Sequence, residues 1–223
     1  MNVTIITNKP KVISSFLIIF FVGLGIRLYY FPFDLPLIID ALDYFTYATA
    51  VNYYGYLPLE GSPANNGWPI FLSFWFSIIN LDDTLQYMQL QRIISIILSS
   101  LIAIPVYVLC RKFFDEKIAL VGAALFAFDP SLIENSVLGI REPIFLLFGL
   151  IAVYYGIHKN EKFMFLAFAF AGLAFDTKIA GIAIPIFLCA FILLKFKSFN
   201  KKIKFISIGI IIFLIVVSPY LIL

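Results

Sequence analysis

The sequence predicts an all-α fold, a polytopic bundle of about seven transmembrane helices with interfacial helices in a long first outer loop. Composition is the first reason. Of the 223 residues, 62% are hydrophobic and the mean hydropathy is +1.02, whereas a soluble domain is about 45–50% apolar. Pattern is the second reason. The apolar residues form continuous runs near membrane-spanning length, not the alternating segments of about ten residues that build membrane barrels.

Seven apolar runs, separated by charges and turns, are expected to form one transmembrane module over residues 1–223. The predicted spans are approximately residues 12–31, 89–110, 117–130, 137–157, 163–176, 178–194 and 203–223. The first run follows Lys9 and Lys11 and is interpreted as a retained anchor, because it is long and no small-residue cleavage site follows it.

Three of the runs fall short of the about 20 residues that a span needs. The third run is therefore expected to continue past Asp129 and Pro130, and the fourth to begin near Val137. The fifth and sixth runs form one apolar block that is split by the stretch "FDTK". We interpret this stretch as an outer turn between two spans, and a single re-entrant element fits the block as well.

The distribution of charge predicts the orientation. With the N-terminus in the cytoplasm and alternating spans, 12 of the 16 Lys and Arg residues fall on the inside, as the positive-inside rule requires. Ten of the 13 acidic residues fall outside: Asp34, Asp40, Asp43, Glu60, Asp82, Asp83, Asp129, Glu134, Glu142 and Asp176. The chain is thus expected in the cell membrane with its active face extracytoplasmic. Topology accounts for the basic residues, so nucleic-acid binding is not expected.

The outer loop over residues 32–88 is too long to be an ordinary connection, and it carries helical patterns. One helical stripe at spacing i, i+3, i+7, i+10 and i+14 contains Asp40, Asp43, Tyr47, Ala50 and Tyr54. This stripe predicts an interfacial helix over residues 38–54, which Gly55 ends. After a polar turn, Pro69 marks the first turn of a second interfacial helix over residues 68–79.

Asp40 and Asp43 have two explanations. They can be an N-cap and a first-turn acid, each stabilising the helix dipole by about 0.3–1 kcal/mol. They can also begin an active site. A second charged group on the same face favours the site: Asp129, Glu134, Arg141 and Glu142 lie between the third and fourth spans, and charges near a bilayer are costly unless they pair or serve a function.

Structural explanations stay open for the basic residues that could belong to such an active site. Arg141 can pair with Glu142 or Glu134, and for Lys178 a simple pair with Asp176 is the favoured interpretation. The two cysteines are expected to be packing residues. The sequence has a single histidine, His158, so a histidine-based triad or zinc site is not expected.

Four motifs follow one another along the chain. An anchor precedes a loop with the acidic motif "DALDYFTYA", and the stretches that follow are "NNGWPIFLSF", "FDPSLIENSVLGIREPIFLLFGLIAVYY" and "GLAFDTKIAGIAIPIFL". In this order, the motifs resemble those of the GT-C superfamily of integral-membrane glycosyltransferases, which includes protein O-mannosyltransferases, the aminoarabinose transferase of lipid A and the catalytic subunit of oligosaccharyltransferase. The family has Asp-Glu or Asp-x-Asp where this chain has Asp-x-x-Asp, so the catalytic position falls on either Asp40 or Asp43.

The resemblance implies a transferase that moves a sugar from a polyprenyl-phosphate carrier to a protein, lipid or glycan acceptor on the outer face. Asp43 or Asp40 is the expected catalytic base. The expected substrate-binding residues are Glu134, Arg141, Glu142, Lys178 and Arg92, with the cations directed at phosphate. Asp43 and Glu142 are candidate ligands of a divalent cation, Mg²⁺ or Mn²⁺. Membrane lipids are the other expected partner.

Two further expectations follow from the same comparison. Members of the superfamily have additional spans, so this chain is expected to be the shared N-terminal seven-span module, either part of a longer protein or dependent on a partner. The alternative function is a non-enzymatic membrane protein, namely a transporter, a flippase or an inactive assembly subunit. A transporter would place ionisable groups at mid-membrane, whereas these charges cluster at one edge.

Overall fold

The computed structural model describes residues 10–58 and 65–221, and its regular structure there is helical. In chain order the helices are α1 (Pro10–Tyr29), α2 (Asp40–Tyr54), α3 (Gly67–Ile78), α4 (Thr84–Leu101), α5 (Ala103–Phe113), α6 (Glu116–Ala127), α7 (Pro130–Leu138), α8 (Glu142–Gly156), α9 (Phe163–Thr177), a 3₁₀ turn (Ile179–Ile182), α10 (Ala183–Lys195) and α11 (Phe199–Leu221). The all-α prediction is confirmed. Glu60 and most of the predicted polar turn lie outside the described residues.

Within the described residues, two stretches of helix are long and apolar enough to cross a membrane. They are α1 and the joined pair α4–α5, which runs from Thr84 to Phe113. The pair α6 and α7 makes a third candidate if it is one span bent by 45°. Shorter apolar helices are α3, α8, α9 and the 3₁₀ turn with α10. Helices therefore occupy every predicted apolar run, and two or three helical stretches within the described residues are both long and apolar enough to be full spans.

The chain between α6 and α8 differs from the prediction. The fourth helix of the apolar series begins at Glu142, not near Val137, because the left-handed backbone of Gly139 (φ 80°) ends α7 first. Asp129 and Pro130 start α7, with the Asp129 carboxylate accepting a bond from the helix backbone at 2.9 Å. A short separate helix thus stands where a continuous span was expected.

A fully buried arginine joins the first span to this break. Arg27 donates to the carbonyl oxygens of Gly23 at 2.9 Å and Ala127 at 2.7 Å, and to the hydroxyl of Ser99 at 3.1 Å. Ala127 is the last residue of α6, so its carbonyl lacks a helical partner. The charge within the apolar helix α1 therefore stabilises the end of α6.

The two loop helices are built into the core. Leu37, Tyr44 and Phe45 from the first loop pack with Trp68 and Phe76 of α3, and α4 and α8 complete this cluster through Ile94 and Ile144. The phenyl rings of Phe45 and Phe76 lie 5.8 Å apart. This packing fixes α2, and the acidic residues at its start, against α4 and α8.

The predicted stripe lies along α2, but it is not uniformly exposed. Asp40 and Asp43 are exposed, whereas Tyr47 is only 3% exposed. The Tyr47 hydroxyl donates to the Pro58 carbonyl at 3.0 Å. The stripe correctly predicts the helix but not this difference in exposure, because α3 and the end of the loop cover one flank of α2, which its periodicity alone does not reveal.

Candidate active site

Tyr44 stands between the two charged segments of the sequence. The Arg141 guanidinium carbon lies 5.3 Å from the centre of the Tyr44 ring, a cation–π contact. Burial raises the pKa of Tyr44 to about 12. The charge of Arg141 opposes this shift, and the nearby carboxylates of Asp40, Glu142 and Asp43 add to it. The structure therefore brings the start of α2 together with the start of α8.

The carboxylates of Asp40 and Asp43 are exposed in the first turn of α2. Asp40 is not the N-cap, since Ile39 occupies that position and no side chain caps the helix. The acids do lie where a helix dipole favours them. Ile39 itself has φ 50° and ψ −131°, a backbone that a β-branched residue adopts only under strain. Strained residues persist where the surroundings hold them firmly.

Lys178 pairs with Glu142, not with Asp176 as the sequence favoured. The Lys178 Nζ lies 3.0 Å from the Glu142 Oε1, and both side chains are about one-third to one-quarter exposed. Helix α9 ends at Thr177, and Lys178 takes an extended backbone that turns it away from its own helix. A partly exposed pair of this kind can open to bind an anion, because such pairs are weak in water.

Asp176 faces a separate space. It lines a cavity of about 270 Å³ between α3, α8 and α9, together with Phe71, Phe148 and Thr177. Its Oδ1 is buried and has no hydrogen-bond partner within residues 10–58 and 65–221. The cavity is mostly apolar, and it lies beside the helix ends that carry Glu142 and Lys178.

Two other predicted residues lie apart from this cluster. Arg92 is 3% exposed, and it donates to the Leu35 carbonyl at 2.6 Å and to the Pro36 carbonyl at 2.8 Å. Substrate binding by Arg92 stays a prediction, and its contacts favour a role in holding the first loop. Glu134 is exposed on α7, and among the described residues no salt bridge joins it or Glu142 to Arg141.

A metal site finds limited support in the donor set. Within residues 10–58 and 65–221, no group of three or more His, Cys, Asp or Glu side chains is placed to hold an ion. Asp43 and Glu142 offer the oxygen donors that Mg²⁺ and Mn²⁺ prefer, but Glu142 is engaged by Lys178. The divalent cation stays a prediction.

Sequence reasoning missed Tyr44 and Gln91. Tyr44 is not part of the helical stripe that contains its neighbours Asp40 and Asp43. Its contact with Arg141 joins residues that are distant in sequence. Gln91 is fully buried in an apolar helix. An uncharged amide at the start of a predicted span was the available signal, since polar groups in such positions are costly unless they bond.

The charged cluster at α2 and α8 has the components of a group-transfer site: exposed carboxylates, a guanidinium and a lysine. Residues 71–223 match the family model of dolichyl-phosphate-mannose-protein mannosyltransferase. This range includes Arg141, Glu142 and Lys178, whereas Asp40 and Asp43 precede it. A comparison with curated proteins and one with solved structures each found no match.

The matched range exceeds half of the chain, and the membrane-length helices agree with it. This membership supports a glycosyltransferase over the transporter or flippase that the sequence also allowed. The chain belongs to the dolichyl-phosphate-mannose-protein mannosyltransferase family, and it is a membrane glycosyltransferase with a lipid-linked sugar donor.

Proposed function

We propose that this protein transfers mannose from a polyprenyl-phosphate carrier to a hydroxyl group of an acceptor protein at the outer membrane face. The family description supports the sugar, the carrier and the acceptor. The observation that carries the site assignment is the cluster around Tyr44, whose ring contacts Arg141 and feels the charges of Asp40, Asp43 and Glu142. The proposed topology has seven spans and a cytoplasmic N-terminus, and it rests on the distribution of charge.

The reaction exchanges one bond at the anomeric carbon. The acceptor hydroxyl oxygen attacks the anomeric carbon, and the bond from that carbon to the phosphate oxygen breaks. The hydroxyl proton passes to a carboxylate, and the polyprenyl phosphate leaves with the bonding electrons. We assign the proton acceptor to Asp43 or Asp40, whose carboxylates are exposed to incoming substrate.

Arg141 and Lys178 are the cations proposed to stabilise the leaving phosphate. Arg141 Nε is buried, and no group among the described residues accepts a hydrogen bond from it, so a phosphate oxygen would satisfy it. Lys178 pairs with Glu142 at 3.0 Å, and a phosphate with its greater charge competes well for it. Such electrostatic stabilisation of a developing charge is commonly the largest contribution to catalysis.

A divalent cation is the second way to neutralise the phosphate. Asp43 and Glu142 are the residues that would hold Mg²⁺ or Mn²⁺, and the ion would supply a Lewis acid beside the leaving group. No step above depends on it. Transfer that persists in EDTA supports the two side-chain cations, whereas loss restored by Mg²⁺ or Mn²⁺ supports the metal.

The test of the base assignment is a pair of matched substitutions, Asp43→Asn and Asp40→Asn. Both residues are exposed in the same turn of α2, so both variants should fold equally well. Loss of general-base catalysis costs about 10²–10⁴ in rate, and we expect one of the two variants to show it with donor binding kept. Full turnover in both variants would reject this mechanism.

A further inference from the structure

Gln91 links the two segments that carry the charges of the site. Its side chain is fully buried on α4. The Nε2 donates to the Ala41 carbonyl at 3.0 Å and to the Gly139 carbonyl at 2.9 Å. Ala41 lies between Asp40 and Asp43, and Gly139 lies two residues before Arg141. A single amide group therefore joins backbone atoms on both sides of the cluster.

The neighbours of Gln91 hold the same two segments. The Trp68 Nε1 donates to the Gly139 carbonyl at 3.3 Å, and Arg92 holds the carbonyls of Leu35 and Pro36. A Cβ on Gly139 would lie 3.4 Å from the Gln91 Cγ and 3.2 Å from the Arg92 Cγ. Gln91, Arg92 and Trp68 thus form a joint between residues 35–41 and Gly139. This joint is tightly packed, so a change at Gln91 is transmitted to the backbone on either side.

The acceptor oxygen of the Gln91 side chain indicates that the N–H donors are the part of the amide that this position requires. The Gln91 Oε1 is buried and has no hydrogen-bond partner in the described part of the chain, which costs free energy that an apolar side chain would avoid. An apolar residue would suit the packing of an apolar helix, but it would leave the carbonyls of Ala41 and Gly139 without this link. The two carbonyls come from segments about fifty residues away from Gln91 in the sequence.

We propose that Gln91 is a positioning residue, which fixes the first-loop carboxylates at a set distance from Arg141 and Glu142. This inference rests on the proposed function, because it assigns Gln91 an effect on the transfer step through those groups. Strain at Ile39 (φ 50°) is consistent with it. The backbone there is held on one side by Arg92 and on the other by Gln91, and such conformations need firm support.

The chemical step is the quantity that this role affects. A misplacement of about 1 Å between reacting groups can lower a rate about 100-fold. In the proposed function, donor binding depends on Arg141 and Lys178, which lie at or beside the start of α8. Loss of the link should therefore lower kcat by about tenfold to 100-fold and leave the KM for the donor nearly unchanged.

The test compares Gln91→Met with Gln91→Glu and with Ser95→Ala. Methionine and glutamate fill similar space and lack the two N–H donors. Ser95 is the matched control, because it lies one turn later on α4 and donates to Ile140 of the same joint at a longer 3.4 Å. Purified protein is assayed for transfer from dolichyl-phosphate mannose, and amide hydrogen exchange is followed over residues 40–45 and 139–142.

We expect faster exchange in both segments and a lower kcat in the two Gln91 variants, with little change in Ser95→Ala. In an Asp43→Asn or Asp40→Asn background, whichever removes the base, the Gln91→Met effect on kcat should shrink, because residues that act together are not additive. Unchanged exchange would overturn the proposal, and so would faster exchange with an unchanged kcat. If both Asp→Asn variants stay active while Gln91→Met slows transfer and exchange rises, the base assignment fails and the positioning role stands.

Discussion

At the scale of single residues, the contact between Tyr44 and Arg141 is the main evidence that the two charged segments form one site. The ring holds the guanidinium near Asp40 and Asp43, and a contact of this kind contributes about 0.5–2 kcal/mol. The phenol itself is a poor candidate for the base. Burial raises its pKa to about 12, so it is protonated throughout the physiological range.

Tyr44→Phe should therefore retain most of the transfer activity, whereas Tyr44→Leu should lose it. Phenylalanine keeps a ring beneath Arg141, and leucine removes the cation–π contact while remaining apolar. Steady-state transfer rates of the two variants provide the measurement. Equal loss in both variants would show that the phenol hydroxyl takes part.

The substitution Tyr44→Phe also changes how the stability of the protein depends on pH. The pKa of Tyr44 is about 12 in the folded chain against an ordinary 10.0, so the unfolded state releases this proton first. Its contribution to stability is complete below pH 10 and is lost as the pH rises to 12. Unfolding of the purified protein should show less loss over this interval in Tyr44→Phe than in the wild type.

At the scale of helices, the ends matter more than the spans. Gly55 ends α2 and Gly139 ends α7, both with left-handed backbone, at φ 71° and 80°. A side chain on such a backbone costs roughly 1–2 kcal/mol. Gly139 has tightly packed neighbours, whereas a Cβ on Gly55 would meet no described atom within 4 Å.

Gly139→Ala and Gly55→Ala separate these two effects. Both variants should lose similar stability from the left-handed backbone, measured as a lower unfolding temperature. Gly139→Ala should in addition lower the transfer rate by about tenfold or more, because the new methyl group displaces the joint beside Arg141. Full activity in Gly139→Ala would mean that the position of this joint does not affect catalysis.

The helices themselves were largely predictable from the sequence. The predicted loop helices over residues 38–54 and 68–79 correspond to Asp40–Tyr54 and Gly67–Ile78, because apolar periodicity and terminal Gly and Pro are local signals. The end of α7 at Gly139, the pairing of Lys178 with Glu142 and the link through Gln91 were not predictable in this way. Each depends on which distant segment packs against the residue, and periodicity does not record the partner.

At the scale of the whole molecule, the charge asymmetry and the site make one consistent arrangement. The acidic segments at the starts of α2 and α8 meet in one cluster, as expected if both lie on the same side of a membrane. The basic residues gather in the loops that are predicted to be cytoplasmic. The proposed topology therefore places the site on the face opposite to most of the Lys and Arg residues.

Labelling of single cysteines tests this topology. Thr46 on α2 and Ser198 between α10 and α11 are both exposed and differ little from cysteine in size. With Cys110 and Cys189 replaced by serine, a membrane-impermeant maleimide added to intact cells should label Thr46→Cys and not Ser198→Cys. Permeabilised cells serve as the control, since both variants should then react. The reverse pattern in intact cells would invert the topology.

The central claim is that this chain moves a sugar from a lipid carrier, using the cluster around Tyr44. The most direct measurement is transfer of radiolabelled mannose from dolichyl-phosphate mannose to an acceptor peptide by the purified protein, with and without EDTA. The account predicts labelled peptide from the wild type and a much smaller yield from Arg141→Met, with Ser95→Ala as the folded control. Absence of transfer by correctly folded wild-type protein, or full transfer by Arg141→Met, would contradict it.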